Sequence, residues 1–579
     1  MFKYTHNNNE LTLKNLGEKV ALKGWVNKKR NLGGLIFIDL RDKFGITQLL
    51  VKPESSFYQI ASEIKSEYVI EVEGVVIERE SKNKNILTGE IEVEVSNLVI
   101  INTANPTPIT ISDDQNNISE EVRLKYRYLD LRRPASQKYL LERSKITQAI
   151  RSALLDLGFP ELETPYMVKS TPEGAKEFLV PSRLYHGEVY ALAQSPQQFK
   201  QLYMIAGFEK YFQVARCFRD EDLRADRQLE FTQIDIEASF VEQEDILNVG
   251  EKVLSNIFKA MGKELVLPLQ RMPYAEAFDK YGSDKPDLRY ELFIENFNEL
   301  FVGHDVPVFK GKEVIRGFKV SNNAIFTRKY FDRATEIVKQ NHGDALAYLK
   351  KENGVVSGSI AKFVEGIELQ DGFTYFFVTG TYEDATNACG ALRKELAKDL
   401  NMIDPNKEAL LWVVDFPLLE YRKEEDRFYA RHHPFTAPQS VEELRNNPAT
   451  CLAKAYDAVW NGYEIGGGSI RIHNQQVQQL MFDKLGFTEE KLTGKFGFFL
   501  EALSYGTPPH GGIAFGLDRI TMLATKTDNI KDVVAFPKTQ SARDLMTQAP
   551  SPADEKQFIE LGIKVRWKKL YSLADVFGE

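Results

Sequence analysis

Two stretches, "YFQVARCF" at 211–218 and "FTQIDIEASF" at 231–240, alternate in character with period two, and nine charged side chains fall within the nineteen positions 217–235 that join them. A period of two marks a strand whose faces meet different surroundings. The segment therefore predicts a β-hairpin with a charged tip. In its second strand Phe231, Gln233, Asp235 and Glu237 share one face, while Thr232, Ile234, Ile236 and Ala238 share the other. Either the charges coat a solvated loop, or they wall a site for a charged substrate.

The chain has 579 residues, enough for three or four domains with separate cores, and its 43% hydrophobic and 27% charged residues match an ordinary soluble protein. A net charge of −9 means that any contact with nucleic acid needs a local basic surface. Cys217, Cys389 and Cys451 are odd in number and far apart. That suits a reducing compartment and speaks against a disulfide framework or a zinc site. The opening "MFKYTHNNNELTLKNL" has no apolar signal region, and no stretch approaches the ~20 apolar residues of a membrane span. The expected location is the cytoplasm, without membrane contact.

Residues 18–101 read as about five short alternating strands between Gly, Asn and Lys turns. They suit a closed barrel of the OB-fold type or another small β-domain. "NTANPTPITISDDQNN" then marks a polar linker. A helical pattern from 136, "SQKYLLERSKITQAIRSALLDLG", stops at Gly158, and Pro160 and Pro165 keep the following segment extended. Residues 288–405 mix strands and amphipathic helices without a dense polar constellation, and read as an insertion. The expected division is 1–104, a barrel; 105–135, a linker; 136–287 and 406–555, two parts of one core around the insertion 288–405; and 556–579, a terminal extension.

There is no G-x-x-x-x-G-K-[ST] loop, H-E-x-x-H helix or G-x-S-x-G elbow. Arg219 and Glu221, two apart on a strand, point the same way; a guanidinium grips phosphate and a carboxylate accepts from an exocyclic amine. In "GGIAFGLDRI", Gly512, Ala514 and Gly516 fall at every second position and either clear a face for a flat ligand, with Arg519 at the terminal phosphate, or mark close strand-to-helix packing. "YEIGGGSIRIH" offers a similar bare floor between Glu464 and Arg471. Asp457 and Glu464 either supply oxygens to Mg²⁺ or are unrelated, and His432 and His433 suit capping or packing. No nucleophile emerges, which fits a reaction helped by positioning and charge stabilisation, such as phosphoryl or nucleotidyl transfer.

"LDLGFPELETPYM", "CFRDEDLRADRQLEFTQID" and "GGIAFGLDRI" resemble, in order, motifs one to three of class II aminoacyl-tRNA synthetases. "TPEGAKEFLVPSR", "QSPQQFKQL", "HHPFTAP" and "GYEIGGGSIRIHN" are similar to the bacterial aspartyl-tRNA synthetase family in particular. The resemblance covers nearly the whole chain; Ala514 stands where a glycine is common. It implies an α+β multidomain protein with an N-terminal OB-fold barrel, a class II catalytic core on an antiparallel sheet, and an inserted α+β domain of the GAD type. It implies ATP and Mg²⁺ as cofactors, and L-aspartate, tRNA(Asp) and a second copy of the chain, docked through motif one, as partners.

The same resemblance implies roles. Arg219, Glu221 and Arg519 would be catalytic, Arg219 on the α-phosphate of ATP and Arg519 on the γ-phosphate. Glu221 with Gln228 would hold the base region and Phe231 would stack on adenine, with Asp220, Glu464, Gly516, Leu517 and Asp518 completing the ATP set. Asp457 and Glu464 would organise Mg²⁺. Glu173, Ser195, Gln197 and Asp235 would surround the amino acid's ammonium group, and Arg219 would also meet this substrate. Lys200 and Arg471 would neutralise its side-chain carboxylate, with His432 closing over it. Two cations short of a counter-charge would then reject the neutral amide of asparagine. In the barrel, Arg30, Phe37, Gln48 and Glu92 would read the anticodon by stacking and polar contacts, although Phe37 in "LIFID" also suits the core. The alternatives are a relaxed enzyme that also charges tRNA(Asn), and a synthetase-like RNA-binding protein without catalysis. Leu32 resembles the strict form, and the full set Arg219, Glu221, Glu464, Arg471 and Arg519 speaks against the non-catalytic reading.

Overall fold

The computed structural model describes residues 3–112, 118–171, 175–223 and 226–564. They pack as two compact units, one from 1–142, 223–225 and 529–552, the other from the rest of the chain.

In the first unit the strands Lys19–Leu32, Leu35–Arg41, Ile46–Val51, Ile91–Asn102 and Val69–Glu78 pair in that order around a closed barrel, the last pairing back onto the first. Closure follows from alternation: Ile36, Ile38 and Leu40 point into a dry core with Val20, Leu22, Leu49 and Val93, while Phe37 and Asp39 between them stay half-buried on the outer face. Phe37 is thus not a core residue. The expected OB-fold is present, with its parallel pairing between Ile46–Val51 and Ile91–Asn102.

Part of the stretch expected as a linker is helical, at Glu120–Lys125 and Arg127–Asp130. Its charges satisfy one another: the buried Asp130 accepts from Arg123 at 3.0 Å, Arg127 at 2.6 Å and Arg133 at 3.2 Å. Arg127 also donates to the carbonyls of Lys531, Val534 and Ala535 at 3.0–3.1 Å. Residues 529–552, expected within the second core segment, accordingly pack in this unit.

The second unit is built on a seven-stranded sheet in the order Gln270–Pro273, Leu410–Val414, Ala455–Trp460, Tyr463–Ile470, His510–Gly516, Glu230–Ser239 and Lys210–Phe218, antiparallel except for its first pair. The charged hairpin expected from the sequence forms its edge, with Asp235 opposite Gln213 and Phe231 opposite Cys217. One face of the sheet is apolar. Ile234, Ile236, Tyr456, Trp460, Ile513 and Phe515 meet Ile146, Ile150 and Leu154 of helix Pro134–Asp156 and Ile246, Val253 and Ile257 of helix Gln243–Ala260. Gly250 brings that second helix close, since a methyl there would fall 2.7 Å from the Trp412 ring. Between residues 288 and 405 a separate antiparallel sheet runs Glu295–Asn296, Val314–Ser321, Phe373–Gly380, Ala345–Glu352 and Val355–Gly358, with helices Arg328–Gln340 and Tyr382–Asp399 packed on it.

The opposite burial of neighbouring barrel residues has a measurable consequence. Ile38→Ala should cost the barrel roughly 2–5 kcal/mol by leaving a cavity, whereas Phe37→Ala should cost about 1 kcal/mol or less. Hydrogen exchange of the barrel amides reads both; equal losses would place Phe37 in the core.

Candidate functional site

The other face of the seven-stranded sheet is polar, and strand register decides what meets there. Asp235 stands opposite Ala514, Ala514 opposite Gly467 and Gly467 opposite Asp457. One row across four strands thus has an acid at each end and two small residues between. In the next row Glu237 is opposite Gly512, and Gly512 opposite Ser469. A methyl on Gly512 would overlap the Glu237 carboxylate. This glycine makes room for a buried side chain, so of the three small residues expected to clear the face only Ala514 and Gly516 lie open.

Above these rows is a cavity of about 480 Å³ lined by Ser195, Gln197, Lys200, Arg219, Asp235, His432, Asp457, Glu464 and Arg471 among others. At one end Arg471, 2% exposed, donates from Nε and Nη2 to the two Glu237 oxygens at 2.9 and 3.1 Å, and from Nη1 to Ser469 at 2.8 Å. Lys200 donates to Asp235 at 3.0 Å and lies 3.5 Å from Glu237. The two cations therefore have two buried acids as partners. This corrects the expectation of a pocket short of counter-charge: the missed residue is Glu237, whose shared face with Asp235 was its only signal in the sequence.

Burial drives both carboxyls upward in pKa. It prevails at Asp235 despite Lys200, whereas at Glu237 Arg471 and Lys200 outweigh it and hold the carboxyl below its usual range. His433, expected as a capping or packing histidine, accepts the Phe435 amide at Nδ1 and places Nε2 2.8 Å from Arg471 Nη1. Burial, then the Arg471 charge, hold its pKa well below the ordinary histidine value, so the ring is neutral. His432 packs edge-on against Phe416 and sits 3.5 Å from Asp457.

At the other end Asp457 and Glu464 converge over Gly467: a methyl there would lie 2.7 Å from one Asp457 oxygen and 3.7 Å from one Glu464 oxygen. The Asp457 charge, then burial, raise the Glu464 carboxyl. Two adjacent hard oxygen donors that repel each other fit a hydrated Mg²⁺ that also takes phosphate oxygens. Among the described residues no group of three or more His, Cys, Asp or Glu is arranged for a metal.

Four of the lining residues carry buried polar atoms without partners: Gln197 Nε2, Arg219 Nε, Asp235 Oδ2 and His432 Nδ1. Each such atom costs roughly 1–3 kcal/mol, so their concentration around one cavity marks a polar ligand site.

Most expected residues come together, and some do not. The Arg219 guanidinium lies 5.0 Å from the Phe231 ring centroid. Arg519 donates to the Glu464 carbonyl and lies 3.2 Å from Asp226. Gln228 is buried, Gly516 is open, Asp220 is exposed, and Glu221 pairs with Arg227 at 3.2 Å away from the cavity lining. Leu517 and Asp518 must be corrected as ATP contacts by side chain. Leu517 belongs to the apolar core, and Asp518 is 3% exposed, bonded to Arg143 and to the Thr232 amide. Glu173 lies outside the described residues. On the barrel, Arg30 donates to Asp39 at 2.7 Å and to Gln48 at 3.0 Å, Gln48 donates to Glu92 at 2.5 Å, and Arg79 also donates to Gln48, at 2.9 Å. Phe37 pairs across the strands with Arg30. Asp39 and Arg79 had no signal in the sequence, since each becomes part of this face only through the barrel's closure.

A family model for "tRNA synthetases class II (D, K and N)" matches residues 119–540, and one for "OB-fold nucleic acid binding domain" matches 20–101. The chain belongs to the class II tRNA synthetases. It is 50% identical over 572 residues to "Aspartate–tRNA ligase" of Aster yellows witches'-broom phytoplasma (strain AYWB), covering 97% of this chain and 99% of the relative. It is also 50% identical to "Aspartate–tRNA(Asp/Asn) ligase" of Geobacillus sp. (strain WCH70), covering 98% and 99%. A crystal structure of asparaginyl-tRNA synthetase from Pyrococcus horikoshii complexed with asparaginyl-adenylate has the same fold, with a TM-score of 0.61 at 20% identity over 93% of this chain and 99% of that one.

In this synthetase the neutral His433 links stability to pH. An unfolded histidine takes a proton near pH 6.5 and the folded one resists to lower pH, so its contribution is complete above about 6.5 and is lost as pH falls. Between pH 6.5 and 5.5 wild type should lose roughly 1 kcal/mol more stability than His433→Asn. Urea midpoints of the two proteins at both pH values test this; parallel losses would mean that His433 titrates normally.

Proposed function

We propose that this chain is an aspartate–tRNA ligase, acting as a homodimer in the cytoplasm. The observation that carries the reading is the buried Lys200–Arg471 pair, at one end of a cavity whose other end holds Asp457 and Glu464. Near-full-length identity to bacterial relatives of that name supports it. The three cysteines are free and buried, which suits a reducing compartment. Helix Pro134–Asp156 exposes Leu141 and Leu155, apolar side chains available to a second copy at motif one. No helix among the described residues is long and apolar enough to cross a membrane.

Lys200 and Arg471 receive the side-chain carboxylate of L-aspartate, with His432 beside it. Asp235, Gln197 and Ser195 surround its ammonium group, the unpartnered Asp235 Oδ2 is suited to that task, and Glu173 is assigned to it by the family resemblance alone. Phe231 and Gln228 hold the adenine of ATP with Glu221, and the unpartnered Nε atoms of Arg219 and Arg519 are suited to its phosphates. Asp457 and Glu464 hold Mg²⁺, which when bound screens the phosphate charge. With the substrates so placed, an aspartate α-carboxylate oxygen attacks the α-phosphorus and pyrophosphate leaves, giving aspartyl-adenylate. A hydroxyl of the terminal adenosine of tRNA(Asp) then attacks the acyl carbon and AMP leaves. Both steps are helped by positioning and by fixed charges, and neither needs a protein nucleophile. The barrel face of Arg30, Phe37, Gln48 and Glu92 reads the anticodon.

The (Asp/Asn) name of the Geobacillus relative favours a second reading, in which tRNA(Asn) is also charged with aspartate. Charging assays with the two purified tRNAs separate strict from relaxed enzymes.

Arg219→Ala should reduce aspartate-dependent ATP–pyrophosphate exchange by about a hundredfold or more, the loss of ~2–4 kcal/mol of phosphate stabilisation, with the fold intact. Wild-type exchange in the variant would remove Arg219 from the site. Phe37→Ala should instead weaken tRNA charging by about tenfold, the worth of one stacked base, and leave exchange unchanged. Equal loss in both assays would sink the anticodon role.

A further inference from the structure

Residues 282–290 join the seven-stranded sheet's domain to the inserted one, and one of them, Asp284, lines the same cavity as Asp457 and Glu464. No residue of 288–405 lines it. The inserted domain nevertheless holds this segment through helix Tyr382–Asp399. Gly282 has φ +63, and a methyl on it would fall 2.7 Å from Gly390 Cα and overlap the Thr386 carbonyl; a methyl on Gly390 would overlap the Gly282 carbonyl. The two backbones therefore touch without side chains between them.

One helical turn further on, Arg393, 3% exposed, gives its fork to the same segment. Nε donates to Leu292 O at 2.5 Å, Nη2 to Asp287 O at 3.1 Å and Tyr290 O at 3.2 Å, and Nη1 to the Tyr290 hydroxyl at 2.8 Å. Its guanidinium carbon lies 4.1 Å from the Tyr290 ring centroid and 4.9 Å from that of Tyr281. All four of these hydrogen bonds go to carbonyls and a phenol. A buried charge is costly, so a guanidinium kept here for packing alone would be poorly chosen. What it fixes is the path of the chain from 287 to 292. On the segment's far side Asp287 presses on the turn before Glu464: a methyl on Gly462 would lie 3.0 Å from Asp287 Cβ.

We propose that the inserted domain braces the acidic end of the cavity, with Arg393 as a positioning residue that acts through residues 284–287 on Asp284 and on the Gly462 turn leading to Glu464. The brace rests on the reading above, in which ATP binds at that end. It gives the insertion a task in adenylate formation although the insertion contributes no residue to the cavity wall. The aspartate end rests on Lys200 and on Asp235 and Glu237 of the strand Glu230–Ser239, none of which touches this segment, although Arg471 follows directly on the strand that carries Glu464.

The test compares Arg393→Gln, Asp284→Ala and the double variant in ATP–pyrophosphate exchange. Active sites are counted by the adenylate burst, and ATP affinity is measured by equilibrium dialysis. Arg393→Gln should raise both the KM and the dissociation constant for ATP about fivefold, and Asp284→Ala about threefold, each ~1 kcal/mol or less, while the KM for aspartate stays within about twofold. The double variant should be little worse than the weaker single, because both changes act on one wall. Equal rises in both KM values, a fall in active-site count with both KM values unchanged, or multiplying effects in the double variant would each overturn the brace. Should Arg393→Gln not fold, Arg393→Lys, which keeps the charge but loses the fork, replaces it under the same criteria. Failure of wild type to exchange at all would sink the ligase reading; normal wild-type exchange with unselective variants sinks the brace alone.

Discussion

The site depends on one carboxylate. Glu237, fully buried, takes both forks of Arg471 and lies within 3.5 Å of Lys200. Removing one partner from such a network strands a charge at a cost of about 3–5 kcal/mol, so the network holds only as a whole. Much of the neighbourhood follows from it. Gly512 must lack a side chain to admit Glu237, Ser469 must offer its hydroxyl to Arg471, and His433 must stay neutral beside that guanidinium.

The two ends of the cavity follow opposite electrostatic logic. Around Lys200 and Arg471 the charges are compensated, and two acids match two cations. Around Asp457 and Glu464 compensation is incomplete: the Asp457 charge and burial raise the Glu464 carboxyl more than Arg519 and Lys285 lower it. A compensated end can recognise a substrate by shape and by hydrogen-bond direction, while an incompletely compensated acidic pair selects for a divalent ion carried by phosphates. The sheet makes this separation possible because cross-strand rows keep Asp235 and Asp457 three strand spacings apart on one face, with Ala514 and Gly467 between them.

Much of the fold was legible wherever a single strand or helix decided it. Alternation around 211–240 is enough for the hairpin and Gly158, at φ +77, for the end of helix Pro134–Asp156, while alternation in 18–101 gives a small β-domain whose closure into a barrel only the resemblance implied. The failures share a cause. Residues 105–135 read as a linker because sequence shows Arg123, Arg127, Asp130 and Arg133 without showing that they face one another. Asp518 beside Arg519 read as part of the ligand site, yet a helix turns successive side chains by about 100°, and Asp518 faces Arg143 while Arg519 reaches the Glu464 carbonyl.

What the sequence determined by itself is the set of local preferences and the family to which the ordered motifs belong: which residues alternate, where chains must turn, and which glycines, acids and arginines are present in what order. Only the tertiary structure decided which of them are partners. Glu237 and Arg471 are 234 positions apart, and Arg393 meets a carbonyl 106 positions before it. A local pattern fixes the face on which a side chain emerges, because backbone geometry is periodic. It holds no information on what the opposing strand or helix brings to that face, and the energy of a buried charge is set almost entirely by that opposing group.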